Sequence, residues 1–234
     1  MATTGILIGV GVGPGDPELL TLKAVRLLGA APVVAFIHAP GRESMARAIA
    51  MEHLNPSALH IAMEIPMDMD VSVAAKAYDA QMKDITEHLD RGDDVIFLCE
   101  GDPLFYGSFL SVLDRLGGQY QTQVVPGITS VAASAAAIPA GLARRAGVFS
   151  VIPATLDEDD LALWLAGTGS AAIIKAGPHL GKVKRVLTRL GLEARAFFCE
   201  RVGFEDQRVV PLSDIEDAQA GYFSLILILE RKKL

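Results

Sequence analysis

The chain has 234 residues, 51% of them hydrophobic, with 22 Gly, 12 Pro and a formal net charge of −7. That length and composition exclude a disordered or fibrous chain and allow one large domain or two small ones. The acidic balance argues against a general nucleic-acid binder, which needs a basic face, but leaves room for a locally basic site that holds an anionic substrate.

Short apolar runs alternate with helical stretches along nearly the whole length, the pattern of α/β layers. In the first half, strands are expected at Gly5–Val12, Val33–Ile37, Leu59–Met63, Val95–Cys99 and Gln123–Val125. In the second half they are expected at Val148–Ile152, Ala171–Lys175, Ala194–Cys199 and Ser224–Glu230. Most are continuous runs of Val, Ile, Leu and Phe, as suits strands covered on both faces. Helices are expected at Glu18–Leu28 after Asp16-Pro17, at Glu43–Leu54, and at Ser72–Leu89 with Arg91-Gly92 as its stop. A small-residue helix is expected over Thr129–Ala137, and others over Asp157–Leu165 and Leu180–Leu190. The acids Asp157, Glu158, Asp159 and Asp160 read as helix initiation rather than a metal site, because the helix dipole favours negative charge there. Small residues and Pro139 between Val125 and Ala146 mark a boundary, giving domains over 1–127 and 128–234.

Cys99 and Cys199 each end an apolar run and read as reduced core residues. Two thiols make no zinc site and no metal motif is present, so no metal is expected. No signal peptide is evident, and the apolar run Leu225–Leu229 is far shorter than the ~20 residues needed to span a bilayer. A soluble, cytoplasmic protein with no membrane or nucleic-acid partner is expected.

Three turns carry the functional signal. Gly9-Val-Gly11-Val-Gly13-Pro14-Gly15-Asp16-Pro17 follows the first strand. In no register does it satisfy GxGxxG, and there is no GxxxxGK[ST], so it is neither a dinucleotide-binding Rossmann fingerprint nor a P-loop. It is a backbone-exposing loop that lets a ligand or another segment approach closely, or a plain glycine-rich turn. Glu100-Gly101-Asp102-Pro103-Leu104-Phe105-Tyr106-Gly107-Ser108 follows a buried strand, where ligands of open α/β sheets bind. Asp102 offers either a ligand carboxylate or a cap for the next helix. Val125-Pro126-Gly127-Ile128-Thr129-Ser130 is again strand, glycine turn and helix start, with free N–H groups suited to a carboxylate.

Together these segments resemble the tetrapyrrole (precorrin) methylase family. The match comprises Gly11 to Ala24, Glu100 to Ser108 and Val124 to Ser130, with Ile173 to Gly177 and Leu225 to Glu230 also fitting, and it covers essentially the whole chain. The resemblance implies two α/β domains with an inter-domain cleft that holds S-adenosylmethionine, released as S-adenosylhomocysteine. It also implies a homodimer and methylation of a ring carbon in vitamin B12 or sirohaem intermediates. Carried onto this chain, the cofactor contacts are Pro14, Glu100, Gly101, Asp102, Phe105, Thr129 and Ser130. Lys175 and Val202 also correspond, although the family often has an apolar residue at the first and a glycine at the second.

Within the family, Phe36 to Arg42, Ser44 to Ala48 and Ile65 to Asp70 most resemble the branch that methylates C-20 of precorrin-2 to give precorrin-3A. The branch that makes precorrin-2 carries Tyr-Asp-Arg after strand two; here Phe36-Ile37-His38 stands there, so that branch's base is missing. Rival readings are methylation of cobalt-factor II at C-20, another precorrin methylase, or a non-catalytic nucleotide-binding module.

The catalytic base is unassigned. His38 and Tyr106 are candidates, each with an ordinary loop or packing role as the alternative. Arg42, Arg144 and Arg145 are candidates for clamping substrate carboxylates, with a surface role as the alternative. Met63, Met67 and Met69 could line a macrocycle pocket or pack in the core.

Overall fold

The computed structural model describes residues 4–66, 71–216 and 220–230. Met67 and Met69 lie outside them. The chain divides into two units, Met1–Thr129 and Ser130–Leu234.

The first unit is built on a parallel sheet of β1 (Leu7–Gly11), β2 (Val33–His38), β3 (Leu59–Glu64), β4 (Val95–Cys99) and β5 (Thr122–Val125), in the order β3-β2-β4-β1-β5. Parallel neighbours need crossover connections. These are α1 (Leu22–Ala30), α2 (Met45–Ala50), α3 (Val71–Arg91) and α4 (Phe109–Leu116). β1 and β4 are buried throughout, as continuous apolar runs predict. On one face Leu7, Val33, Ala35, Val95, Phe97 and Cys99 pack against Ile85 and Leu89 of α3 and Phe109 and Val112 of α4.

The edge strand β3 departs from the continuous pattern. Ile61 and Met63 are buried while His60, Ala62 and Glu64 are exposed, because an edge strand is covered on one face only. The Gln81 carboxamide closes the end of that edge: it accepts the Glu64 N–H and donates to the Glu64 carbonyl, both at 2.8 Å.

The first helix begins four residues later than the sequence suggests. Asp16 caps only a single 3-10 turn at Pro17–Leu19, accepting the Glu18 amide at 2.8 Å. Thr21, in extended conformation, then caps α1 by accepting the Ala24 amide at 3.2 Å. The expected helix over Glu43–Leu54 is likewise shorter: Ser44 caps α2, and Met51–His53 tightens into a 3-10 turn.

The second unit has a mixed sheet of β6 (Phe149–Pro153), β7 (Ser170–Ile174), β8 (Ala196–Glu200), β9 (Arg208–Pro211) and β10 (Ser224–Ile228), ordered β6-β7-β10-β8-β9. Only β6 and β7 pair in parallel, and β10 runs against both β7 and β8. The helices are α5 (Ser130–Ala137), α6 (Glu158–Leu165) and α7 (Leu180–Arg189). Leu161 and Leu165 of α6 and Val183, Val186 and Leu187 of α7 pack on Ile173, Phe198 and Ile226 of the sheet. The acidic start of α6 is used as the dipole argument predicts: Asp157 accepts the Asp160 amide at 2.8 Å, and Glu158 pairs with Arg185.

Both cysteines are free and buried. Burial pushes the Cys99 thiol up to about 12 and the Cys199 thiol to about 11, so neither is a ready nucleophile. Among the described residues no helix is long and apolar enough to cross a membrane, and no group of three His, Cys, Asp or Glu side chains could hold a metal ion.

Candidate active site

The three glycine turns meet at the carboxyl edge of the first sheet. From β1 the chain passes over β4 to reach β2; from β4 it crosses β1 to reach β5. The turns after these neighbouring strands leave in opposite directions, which opens a crevice of the kind that binds ligands in α/β sheets.

The turns touch through bare backbone. Gly101 donates its N–H to the Gly13 carbonyl at 2.8 Å, and the two residues form an isolated antiparallel bridge. Both have positive φ, 80° at Gly13 and 65° at Gly101, a conformation natural to glycine. A Cβ on Gly11 would lie 2.6 Å from the Gly101 carbonyl oxygen and 2.6 Å from the Gly127 nitrogen. One on Gly127 would lie 2.0 Å from the same Gly101 oxygen and 2.9 Å from the Gly11 Cα. Three main chains are thus packed without side chains between them.

Asp102 is the clasp. Its Oδ2 accepts the Gly127 amide and its Oδ1 the Leu104 amide, both at 2.9 Å. It is therefore not the cap of α4, which starts at Phe109. A carboxylate that accepts two backbone N–H groups makes charge-assisted bonds, stronger than neutral ones, so the turns after β4 and β5 are held in register. Beyond it, Leu104, Phe105 and Tyr106 are exposed, with the two rings edge to face at 5.2 Å. An uncovered apolar rim beside exposed backbone suits a ligand with an aromatic body and a polar tail. The rim is tightly wound: Tyr106 has φ of 57°, and a Cβ on Gly107 would lie 2.6 Å from the Pro103 carbonyl oxygen.

Glu100 is half-buried where β4 enters its turn, and its Oε1 accepts the Ala46 amide of α2 at 3.1 Å. Burial raises the carboxyl above its ordinary range, opposed by hydrogen bonds from its own amide and that of Ala46. His38, the last residue of β2, is half-buried with Nδ1 3.2 Å from the Ala39 carbonyl oxygen. Arg42 is exposed on the following turn.

Of the sequence-predicted contacts, Pro14, Glu100, Gly101, Asp102, Phe105 and Thr129 all belong to the first unit's turns. The Thr129 Cα lies 3.9 Å from where a Gly101 Cβ would stand. Ser130, exposed, opens α5 in the second unit. In that unit, exposed Lys175 follows β7 with φ of 58°, and Val202 is buried after β8. Both sit at the end of the sheet where β10 begins, since Ser224 pairs with Glu200 and its carbonyl accepts the Ala176 amide. Arg144 and Arg145 are exposed on the segment between α5 and β6.

Sequence reasoning missed α4 and β9. Gly9, which the sequence marks only as the first glycine of the first turn, also has a packing role: its absent side chain admits the Phe109 ring, and a Cβ there would lie 2.6 Å from ring carbons. The run of apolar residues at Phe109, Val112 and Leu116 was the available signal for α4.

Comparison with known proteins identifies the family. Residues 6–217 match the family model for tetrapyrrole (corrin/porphyrin) methylases. The chain is 38% identical to a precorrin-2 C(20)-methyltransferase from Sinorhizobium, across 96% of this chain and 95% of that protein. It is 39% identical to the cobalamin biosynthesis protein CobIJ of Mycobacterium tuberculosis; that match takes in 97% of this chain but only 46% of the relative, so the chain spans about half its length. A crystal structure of uroporphyrin-III C-methyltransferase from Thermus thermophilus with S-adenosylhomocysteine superposes with a TM-score of 0.67, at 26% identity, over 97% of this chain and 98% of that one. The chain belongs to the tetrapyrrole methylase family.

Proposed function

We propose that the protein is an S-adenosylmethionine-dependent C-methyltransferase that converts precorrin-2 to precorrin-3A by methylating C-20, a step of cobalamin biosynthesis. The observation that carries this reading is the near end-to-end similarity to the Sinorhizobium precorrin-2 enzyme, joined to a glycine cradle at the carboxyl edge of the sheet.

In this reading the cradle of Pro14, Gly101, Asp102, Phe105 and Thr129 holds the cofactor; Ser130, Lys175 and Val202 are proposed as cofactor-binding on the family resemblance alone. The sulfonium methyl is already activated, so the residues act mainly by alignment and by excluding water. Such positioning can supply roughly 7–11 kcal/mol of the barrier in favourable cases. Arg42, Arg144 and Arg145 are the proposed partners of substrate carboxylates, as guanidinium groups suit. The protein works in the cytoplasm as a homodimer; support comes from the family resemblance and from exposed Val148, Leu163 and Trp164.

The test uses S-adenosylmethionine labelled with carbon-13 in its methyl group. Incubation with precorrin-2 should place the label on C-20 of the product, as read by NMR, and turnover should exceed that with cobalt-factor II. Label at another ring carbon overturns the regiochemistry, and faster turnover of cobalt-factor II overturns the metal-free substrate. Calorimetry should detect S-adenosylhomocysteine but neither NAD nor ATP; binding of NAD alone would favour a nucleotide-binding module instead.

A further inference from the structure

We propose that the Glu100 side chain takes the proton released from the methylated ring carbon, while its main chain shapes the cofactor cradle. This role rests on the methylase reading above.

Four observations place it there. Glu100 stands immediately before Gly101, the glycine that bridges to Gly13, so it occupies the carboxyl edge of a central strand beside the crevice. By strand alternation it follows Ile96 and Leu98 rather than Cys99, and its carboxyl meets the first turn of α2 at Ala46. The Ala46 amide orients Oε1, and the Glu100 amide adds a second hydrogen bond to the carboxyl. Among the described residues no cation pairs with Glu100, so the carboxylate is positioned without being neutralised.

The ionisable surroundings keep it that way. Cys99 on β4 and Tyr78 on α3 both feel the Glu100 charge, and both are neutral near pH 7, each pushed up to about 12 chiefly by burial. Asp102 is committed to the Gly127 and Leu104 amides. On the α2 side the charged residues are Glu43 and Arg47, and the Arg47 guanidinium is engaged with His60 at 3.4 Å and with the Phe36 ring at 5.8 Å. On β2, His38 is turned to the Ala39 carbonyl. Burial makes the Glu100 carboxylate more basic than an exposed one, which strengthens it as a proton acceptor.

The step balances. The ring carbon bonds to the methyl group as the carbon–sulfur bond breaks and its electron pair leaves on sulfur. The carbon–hydrogen bond at the same ring carbon then breaks, its pair returns to the ring, and the proton passes to Glu100.

Glu100→Gln tests the role, because the amide oxygen still accepts from Ala46 but cannot take a proton. S-adenosylhomocysteine affinity should stay within about twofold. Turnover should fall by about 100-fold, within the range for a lost general base. Wild-type kcat/KM should rise with pH through the ionisation of Glu100, and the variant should lose that limb. Deuterium at the acceptor carbon should slow the variant more than the wild type. Glu100→Asp, which keeps a carboxylate, should regain the limb at a lowered rate.

The linkage sign gives a further readout. A raised folded-state value means the folded protein holds more protons than the unfolded chain. Keeping Glu100 therefore costs increasing stability as pH rises from the ordinary carboxylate range to its own value. The thermal midpoint of Glu100→Gln relative to wild type should climb over that interval. A variant with wild-type rate and pH limb, or a flat profile in Glu100→Asp, overturns the role alone. A wild-type chain that methylates no tetrapyrrole rejects the methylase reading, and this role with it.

Discussion

Replacing Gly127 by alanine should cost about 3 kcal/mol or more of stability and abolish measurable binding of S-adenosylhomocysteine. The added Cβ would stand 2.0 Å from the Gly101 carbonyl oxygen and 2.9 Å from the Gly11 Cα. These are backbone atoms of two other turns, so no rotamer change relieves the overlap; the turns must separate. Separation breaks the hydrogen bond that the Gly127 N–H donates to Asp102 and strains the Gly13–Gly101 bridge. Urea unfolding followed by circular dichroism, with calorimetry on the folded fraction, measures both effects. Gly118→Ala is the control, since nothing lies within 4 Å of a Cβ there and φ is not in the left-handed region. It should change stability by less than about 1 kcal/mol. A Gly127→Ala protein as stable as the control would mean the turns are not packed as described.

Asp102→Ala should weaken cofactor binding by about 100-fold, near 2.7 kcal/mol, while lowering stability by only about 1–2 kcal/mol. Two backbone amides lose a charged acceptor, yet both are at least partly accessible to water, which replaces some of the loss. The larger effect falls on binding because the carboxylate holds the β4 and β5 turns at the spacing a ligand must find. Asp102→Asn should fall between wild type and Asp102→Ala. Its amide oxygen satisfies one donor, while its NH₂ group meets the other and repels it. Calorimetric titration of all three proteins gives the order; equal affinities for wild type and Asp102→Ala would mean that Asp102 does not set the spacing of the turns for the ligand.

Both effects arise at positions the sequence marks, and it does so for a physical reason. Glycine and proline at the ends of apolar runs locate where strands stop and backbone is bared. The turns at Gly11–Pro17, Glu100–Gly107 and Pro126–Thr129 were therefore legible, as was the α/β alternation of both halves. What stayed hidden was long-range. The Glu100 carboxyl meets an amide 54 residues away, and the Asp102 carboxyl one 25 residues away. No local pattern encodes either pairing, so Asp102 read equally well as a helix cap. Helix α1 begins later than the sequence suggests because Asp16-Pro17 carries the signature of a helix start, which the structure uses for one 3-10 turn before Thr21 caps the true helix. Strand β9 escaped notice because its four residues begin with Arg208 and end with Pro211, as suits an edge and not a core strand.

Amide hydrogen exchange with and without S-adenosylhomocysteine reads out whether the three turns of the first sheet together form the cofactor cradle. Protection should rise at once in peptides spanning Gly11–Pro17, Glu100–Ser108 and Val125–Thr129, while the β3 edge around His60 stays unchanged. Protection confined to one of these turns, or appearing at none of them despite saturating ligand, would contradict it.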